Sequence, residues 1–447
     1  MKRLEFTPRA GWRERINRSG LIYSETQKPG VGPVEYWNDS AAYVFTLPEV
    51  ESLEKQTETL HQMCLEAARY MASGELGTLG LTQDGFELAK WSLEEKHDDV
   101  YARFDLAYAG DGSPAKMLEY NGDTPTGLIE AAITQWDWMQ DQINRGTITA
   151  QWDQWNGIYD ALIERWNVLL RKSHAQGTGG RLFYGYSAQD SSGDVWNTVA
   201  VMAEMAEKGG WRTTSIEMEQ IGWDFGRHHF VGLPENPMHA DQPLLPTGPD
   251  GMVQPTIRNI FKLYPWEDIM SGESGDHFGR LLLDYPNVIP HWYEPPWKMF
   301  LSNKLLLVAL WRLFPGHENL LPAYPDGPNG MSDYVVKPVF GREGDGIKIV
   351  RSGGSIEANG EEYRRAGQRG EQVFQQYHEL PNFPGSNGNN HPCSAAGWST
   401  RKPSAWASAN PTAPSPTTTA ASPPTSSSRS ACPRHAKNSA RRRVVTT

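Results

Sequence analysis

The strongest local pattern in the chain places two acidic side chains opposite each other. Residues 100–121 alternate as β-strands do, and the turn sequence "GDGSP" interrupts them near Gly112. An antiparallel hairpin centred there pairs residues whose numbers sum to about 224. Asp105 then lies opposite Glu119. A fold that contains this hairpin must neutralise two like charges whose Cβ atoms are about 5 Å apart.

A bound cation is one way to neutralise the pair. Arg103 would lie opposite Asn121 on the same hairpin face, because side chains alternate along a strand. Oxygens of Asp, Glu and Asn suit Mg²⁺, and an arginine beside them suits a carboxylate or an acyl phosphate. Two alternatives stay open: a solvated Arg–Asp–Glu cluster on a surface hairpin, or a register slipped by two residues.

A second constellation lies in residues 333–350. Lys337 ends an alternating strand, and the glycine-rich stretch "GREGDG" follows it at Gly341 to Gly346. Glycines allow backbone amides to approach phosphate oxygens, and a lysine supplies a point charge. The order of residues differs from that of a P-loop. The pattern favours a flap laid over a nucleotide, and an ordinary glycine-rich hairpin turn is the alternative.

The rest of the chain predicts helices between strands. Apolar spacing indicates helices over residues 48–72, 128–145, 151–171 and 194–208, with a further strong helix in "PPWKMFLSNKLLLVALWRLFP". The tryptophans on the second and third of these helices are predicted to lie in the core or in a contact between lobes. Residues 232–256 read as a Pro/Gly-rich connection. Lys304, near the start of the last helix, is either a phosphate ligand or a solvated lysine. With 447 residues, an α/β chain of two or three lobes is expected.

Charge and composition exclude several classes of protein. A net charge of −11 argues against a nucleic-acid partner. No stretch approaches the roughly 18 apolar residues of a membrane span, so no membrane partner is expected. Of three cysteines only Cys64 precedes residue 393, which predicts neither a disulfide framework nor a metal finger. These features together predict a cytoplasmic protein.

Six stretches in this order resemble the glutathionylspermidine synthase family, in its synthetase portion with a pre-ATP-grasp region and an ATP-grasp fold. They are "RFDLAY", "LEYNGDTPTGLIEAA", "FKLYPWE", "LSNKLLLVALWRLFPGHENLLPAY", "VVKPVFGREGDGI" and "QQYHELPNFPGSNGNNHP". The resemblance covers residues 1–392. It is strongest to the shorter synthetase-like members, because we find no cysteine–histidine amidase domain.

The resemblance implies a site made of three groups of residues. It places Mg²⁺ on Asp105, Glu119 and Asn121, and it makes Arg103 the contact to phosphate and acyl oxygens. The ATP ligands that it implies are Lys304, Lys337, the flap glycines Gly341, Gly344 and Gly346, and the adenine-reading hinge residues Gln375, Gln376 and His378. The substrate residues that it implies are Thr124, Thr126 and Asp194.

The implied reaction is carboxylate–amine ligation. ATP phosphorylates a carboxylate, and an amine then displaces phosphate to form an amide. Two departures leave the substrates open. Leu263 stands where the family has a threonine for its peptide substrate, and the family's paired acids for the amine are reduced to Asp194 beside Gly193. We therefore expect a small peptide or other carboxylate and an amine, without naming either.

Two other functions stay open. The chain could be an ATP-grasp-fold binding protein that has lost catalysis. The many tryptophans and the paired Asp105 and Glu119 are also compatible with a carbohydrate-acting enzyme. That second alternative gives no role to the lysine–glycine flap.

The composition changes abruptly at residue 393. From there to the end the chain has no Asp or Glu and consists largely of Ala, Ser, Thr, Pro and Arg, which predicts a disordered tail. The family continues instead with a Gly-Gly-Trp strand and a "GIRES"-like segment. Codons chosen for the tail and read one nucleotide earlier give such a sequence, so we hypothesise a frameshift product over residues 393–447. The family's terminal arginine position is then Ala409.

Overall fold

The computed structural model describes most of the chain before residue 400 and short pieces after it. The described residues are 1–28, 32–187, 193–232, 256–271, 279–286, 290–341, 346–357, 371–386, 388–399, 402–403 and 443–446. The greater part of the predicted connection 232–256 and Ala409 lie outside the described residues.

Ten α-helices are described in these residues. They are α1 Trp12–Arg18, α2 Leu47–Ala72, α3 Gln83–Glu94, α4 Gln135–Asn144, α5 Ile158–Ala175, α6 Asp194–Lys208, α7 Trp266–Ser271, α8 Gly279–Asp284, α9 Met299–Ser302 and α10 Leu305–Leu313. A π-helix, Glu130–Thr134, leads into α4, and two 3₁₀ turns occupy Met218–Gln220 and Pro296–Lys298. The predictions over 48–72, 128–145 and 194–208 are confirmed to within a few residues.

Two helix predictions were wrong in extent. The predicted helix over 151–171 begins later, because Trp152–Gln154 is a strand and the helix follows Gly157. The predicted helix around residue 304 breaks at Asn303. The Asn303 side chain explains this break, because it donates to the Leu79 carbonyl at 2.8 Å and accepts from the Leu305 N–H at 2.9 Å.

Twenty-one strands are described in the same residues. They are β1 Lys2–Glu5, β2 Glu25–Lys28, β3 Gly32–Glu35, β4 Ala41–Thr46, β5 Tyr101–Ala107, β6 Lys116–Asn121, β7 Trp152–Gln154, β8 Arg181–Tyr186, β9 Arg212–Glu217, β10 Ile221–Asp224, β11 His229–Gly232, β12 Asn259–Lys262, β13 His291–Tyr293, β14 Ala323–Tyr324, β15 Tyr334–Pro338, β16 Lys348–Arg351, β17 Gly354–Glu357, β18 Gln372–Gln376, β19 Ser394–Ser399, β20 Lys402–Pro403 and β21 Arg443–Thr446.

Three sheets surround the predicted site. The predicted hairpin is β5–β6, within a sheet of order β20-β19-β5-β6. The flap strands β15 and β16 lie in the antiparallel sheet β14-β18-β15-β16-β17. The third sheet, β13-β12-β8-β9, is parallel throughout. Ligands commonly bind at the carboxyl ends of parallel strands, and β8 and β12 end shortly before α6 and α7 respectively.

The prediction of a disordered tail was wrong for three short segments. β19 pairs antiparallel with β5, with Ala395 opposite Asp105 and Gly397 opposite Arg103. β20 extends the same sheet, and β21 pairs with β4 and β7. Backbone pairing overrides the polar composition here, because β4 and β5 each offer an unpaired edge to another strand. Part of the tail backbone therefore lies directly beside the predicted metal hairpin.

Tryptophan burial agrees with the core prediction. Trp138 and Trp166 are fully buried, and Trp155 is 6% exposed. Trp166 makes edge-to-face contacts with Trp211, Phe261 and Tyr293, which join α5 to the parallel sheet. Among the described residues, no helix has both the length and the apolar character needed to cross a membrane.

Candidate active site

Asp105 and Glu119 face each other across the β5–β6 hairpin, as the sequence predicts. The register pairs Arg103 with Asn121 and Asp105 with Glu119, and a bulge then shifts it by one residue. The bulge falls after the acid pair, so it leaves all four side chains on one face. The side chains of Asp105 and Glu119 are 21% and 25% exposed, so the alternative of a fully solvated surface cluster was wrong.

Arg103 forms an ion pair with Asp105. Its guanidinium donates from Nε to Asp105 Oδ1 at 2.8 Å and from Nη2 to Oδ2 at 3.2 Å. Nη1 donates to the Thr126 carbonyl at 2.9 Å, and Asn121 Nδ2 donates to Asp105 Oδ2 at 3.3 Å. Burial disfavours the charge on Arg103, but the neighbouring Asp105 and Glu119 outweigh it and raise the arginine's pKa. Arg103 is therefore charged, and its guanidinium is held in place on the hairpin.

Lys304 forms an ion pair with Glu119. Its Nζ donates to Glu119 Oε1 at 2.9 Å and also donates to the Gly341 carbonyl. The side chain is only 4% exposed, so the alternative of a solvated lysine was wrong. Lys304 is the N-cap residue of α10, directly after the break at Asn303. A residue from the helical region thereby contacts both the hairpin and the flap.

Lys337 approaches the same hairpin from β15. Its Nζ donates to the Leu118 carbonyl at 2.8 Å and to Gln375 Oε1 at 2.7 Å. Gln375 Nε2 in turn donates to the Met117 carbonyl at 3.2 Å, so β6, β15 and β18 are linked by side chains. The structure thus brings Lys304 and Lys337 together beside Glu119.

The charged groups of the site shift one another's pKa values. Burial opposes ionisation of Glu119, but Lys304 and Lys337 outweigh it and lower the pKa of the carboxyl. Burial lowers the pKa of Lys337 to about 8, against the opposing effect of Glu119. Glu119 is therefore an anion at neutral pH, and Lys337 is a cation whose proton is held weakly.

The flap region has the predicted strand–loop–strand form. β15 and β16 pair antiparallel, with Val336 opposite Lys348. Gly346 has φ of +67°, and a Cβ there would lie 2.7 Å from Pro338 Cγ, so the loop needs glycine at this position. Gly341 is described, whereas Gly344 lies outside the described residues.

The predicted adenine hinge lies at the end of β18. Gln375 is buried and bonded to Lys337, whereas Gln376 and His378 are exposed. The backbone of Gln376 donates to the Pro322 carbonyl at 2.8 Å. Adenine reading by these three residues stays a prediction.

The loop that carries Thr124 and Thr126 is anchored at several points. Lys298 Nζ donates to the Gly122 carbonyl at 3.2 Å, and Tyr101 Oη donates to the Pro125 carbonyl at 2.6 Å. A Cβ at Gly122 would lie 2.5 Å from Leu301 Cβ, so the loop can pack this closely only with glycine.

A buried ion pair fixes the centre of the same loop. Asp123 accepts from Lys262 Nζ at 2.7 Å and from the Trp266 N–H at 3.0 Å. Because Lys262 ends β12, the pair ties the loop to the carboxyl edge of the parallel sheet. Thr124 and Thr126 are half-buried within this rigid frame.

Asp194 lies in a second acidic cluster that the sequence did not predict. Tyr23 Oη donates to Asp194 Oδ1 at 3.0 Å and to Glu130 Oε1 at 3.2 Å, and Tyr36 Oη also donates to Glu130 Oε1. Glu130 is 4% exposed, and its Oε2 has no hydrogen-bond partner among the described residues. Burial, followed by the charge of Asp194, raises the pKa of Glu130 to about 7.

Glu130 begins the π-helix directly after the threonine loop. Its sequence neighbourhood, "GLIEAA", shows only an acid among apolar residues, and its partners Tyr23 and Tyr36 are 107 and 94 residues away.

Leu263 follows β12 and is buried in the core, 3% exposed. It packs with Phe261 and Tyr293 and offers no hydroxyl to a substrate.

The hairpin residues fit a divalent cation by their chemistry. Two carboxylates on opposed strands and one amide form a set of hard oxygen donors of the kind that Mg²⁺ takes together with water and phosphate oxygens. No group of three or more His, Cys, Asp or Glu side chains placed to hold a metal occurs in the described part of the chain.

The family comparison covers nearly the whole chain. Residues 3–398 match the sequence profile of the family described as glutathionylspermidine synthase preATP-grasp. A protein of Haemophilus influenzae, provisionally named an acid–amine ligase, is 35% identical over 356 residues, which cover 78% of this chain and 81% of that protein.

Two more distant relatives are longer proteins. Trypanothione synthetase of Crithidia fasciculata is 24% identical over 60% of this chain and 39% of its own length. The bifunctional glutathionylspermidine synthetase/amidase of Escherichia coli is 23% identical over 69% of this chain and 48% of its own length. The profile match extends over most of the chain and includes the hairpin, the threonine loop and the flap. The chain therefore belongs to the glutathionylspermidine synthase preATP-grasp family.

Proposed function

We propose that the chain is an ATP- and Mg²⁺-dependent carboxylate–amine ligase with an ATP-grasp fold, which forms an amide through an acyl phosphate. The observation that carries this proposal is the convergence of Lys304 and Lys337 on Glu119, opposite Asp105 and Arg103. Two carboxylates and Arg103 on one partly buried hairpin face, with Lys304 and Lys337 beside them, suit a polyphosphate and a metal better than they suit a neutral ligand.

The nucleotide phosphates lie between the hairpin and the flap in this proposal. Lys304 and Lys337 offer ammonium groups, and Gly341 and Gly346 belong to the loop that covers them. Asp105, Glu119 and Asn121 would hold Mg²⁺. When bound, the metal neutralises phosphate charge and orients the transferred group.

The carboxylate substrate lies beside Arg103 and the threonine loop. Arg103 stabilises the oxygens of the acyl phosphate, because it is fixed by Asp105 and the Thr126 carbonyl before the reaction begins. The hydroxyls of Thr124 and Thr126 position the rest of this substrate. The buried Asp123–Lys262 pair ties the loop to the end of β12.

The amine substrate lies against Glu130 and Asp194. Two acids that share the Tyr23 hydroxyl form a site for an ammonium group, and Glu130 Oε2 is a buried acceptor that lacks a partner among the described residues. An ammonium must lose one proton before it attacks the acyl phosphate. A carboxyl whose pKa is about 7 can accept that proton at neutral pH. The products are the amide, phosphate and ADP.

Two other functions are weaker. A binding protein without catalysis is favoured only by the altered tail, because the position of the family's terminal arginine is Ala409. A carbohydrate-acting enzyme would use the paired Asp105 and Glu119, but it gives no role to Lys304 and Lys337 beside Glu119. This second alternative therefore leaves part of the site unexplained.

An assay of phosphate release tests the proposal. The chain is incubated with ATP and Mg²⁺, and phosphate is measured with pooled carboxylates, with pooled amines and with both. We expect release above background only when both pools are present, and loss of that release in the Glu130→Gln and Arg103→Met variants. Binding of Mg²⁺–ATP without any release would favour the binding protein, and sugar binding without ATP binding would favour the carbohydrate enzyme.

A further inference from the structure

Lys304 joins the metal hairpin to the phosphate flap. Its Nζ contacts the Glu119 carboxylate at 2.9 Å and also donates to the Gly341 carbonyl. The ammonium is almost entirely buried, with a side-chain exposure of 4%. One carboxylate therefore serves two purposes, since Glu119 is both the partner of a buried lysine and a proposed metal ligand.

The ion pair with Lys304 and the binding of a metal compete for the Glu119 carboxylate. A divalent cation on Glu119 draws electron density from the carboxylate and repels the ammonium beside it. Lys304 would then keep only the Gly341 carbonyl, and a buried ammonium without an anionic partner is costly. The competition ends when phosphate oxygens provide Lys304 with another anion.

The bonds described for the two neighbouring cations differ from those of Lys304. Lys337 bonds to the Leu118 carbonyl and to Gln375, and not to the Glu119 carboxylate. Arg103 bonds to Asp105 and to the Thr126 carbonyl, which belongs to the substrate loop and not to the flap. Lys304 therefore links a proposed metal ligand directly to the flap.

We infer that Lys304 couples the two ligands: it weakens metal binding at Glu119 until nucleotide phosphates take over its ammonium group. The inference rests on the proposed function, because it assumes a metal on the hairpin and phosphates under the flap. It adds an order of binding, in which the metal is retained firmly only together with the nucleotide.

Binding of Mn²⁺ without nucleotide tests the inference. Free Mn²⁺ is titrated against the full chain and followed by electron paramagnetic resonance. We expect weak binding by the wild-type chain and about tenfold tighter binding by Lys304→Met, within the usual range of coupling between sites. Lys304→Gln should behave like Lys304→Met, and Lys304→Arg should behave like the wild-type chain.

Lys337→Met is the matched control, because it removes a nearby positive charge without releasing the Glu119 carboxylate. Equal tightening by Lys304→Met and Lys337→Met would overturn the inference, since removal of charge alone would then explain both. Adding Glu119→Gln to Lys304→Met should abolish the gain. If Mn²⁺ fails to bind every variant even with a non-hydrolysable ATP analogue, the proposed function itself is wrong.

Discussion

Glu119 accepts a hydrogen bond from Lys304 while it faces Asp105 across the hairpin, so one carboxylate joins the two halves of the candidate site. Asp105 is held by Arg103 in the same way. Each acid of a pair that would otherwise repel is neutralised by its own cation. The arrangement explains how the protein tolerates two opposed carboxylates.

Removal of the Lys337 charge should weaken nucleotide binding. Lys337→Met removes a buried ammonium that is positioned by Leu118 and Gln375. A hydrogen bond to a charged group contributes about 1.5–3 kcal/mol, so we expect the Kd for Mg²⁺–ATP to rise roughly 10- to 100-fold. Isothermal titration calorimetry measures this change. Lys55→Met, at an exposed position on α2, is the control. An unchanged Kd in Lys337→Met would remove Lys337 from the site.

The free energy of unfolding should depend on pH through Glu130. Its folded pKa of about 7 is higher than its ordinary value of 4.5, so the folded state binds more protons between these values. Its contribution to stability is complete below about pH 4.5 and is lost as the pH rises through about 7.

The Glu130→Gln variant should remove this dependence. Between pH 5 and pH 8 we expect the wild-type chain to lose about 2 kcal/mol more stability than the variant does. Urea denaturation at both pH values measures the difference. Glu294 also has a pKa raised to about 7 by burial, so the comparison must be made between these two proteins and not from the wild-type profile alone. Parallel pH profiles for the two proteins would show that Glu130 ionises normally.

The loop after β6 should require glycine at position 122. A methyl group there would lie 2.5 Å from Leu301 Cβ, and Leu301 is fully buried. We expect Gly122→Ala to lower the free energy of unfolding by about 1–3 kcal/mol through overpacking. Gly353→Ala is a suitable control, because a Cβ there meets nothing within 4 Å. Similar stability of both variants in thermal unfolding would contradict the close packing.

Local patterns predicted the hairpin well. The register at Asp105 and Glu119 follows from alternation and turn residues, which lie within about twenty positions of each other. The predictions failed where distant segments decide the outcome. Lys304 is buried and follows Asn303, which bonds to the distant Leu79, and no local periodicity predicts either feature.

The acidic cluster of Glu130 and Asp194 was also difficult to predict from local sequence. Asp194 was predicted from the family resemblance, whereas Glu130 was not, since the tyrosines that define its role come from the first forty residues. The start of the tail was mispredicted for another reason. Composition predicts disorder from the side chains. β19 is held instead by backbone pairing with β5, which composition does not predict.

The coding DNA tests the proposed origin of the tail. The profile match ends at residue 398, close to the change of composition at residue 393. Sequencing should show that a one-nucleotide shift near codon 393 opens an acidic frame with a Gly-Gly-Trp and a "GIRES"-like segment. The frame-corrected chain should then release phosphate faster than the present one. If neither shifted frame encodes such a segment, the tail is genuine.

Calorimetric titration of ATP in the presence and absence of Mg²⁺ tests the central claim most directly. The wild-type chain should bind ATP in a metal-dependent manner, and Asp105→Ala and Glu119→Gln should each lose that dependence. Their folding is checked by circular dichroism. Asp111→Ala, at the exposed turn of the same hairpin, should bind like the wild-type chain. Equal metal-dependent affinity in the wild-type chain and in both acid variants would contradict a metal held between Asp105 and Glu119.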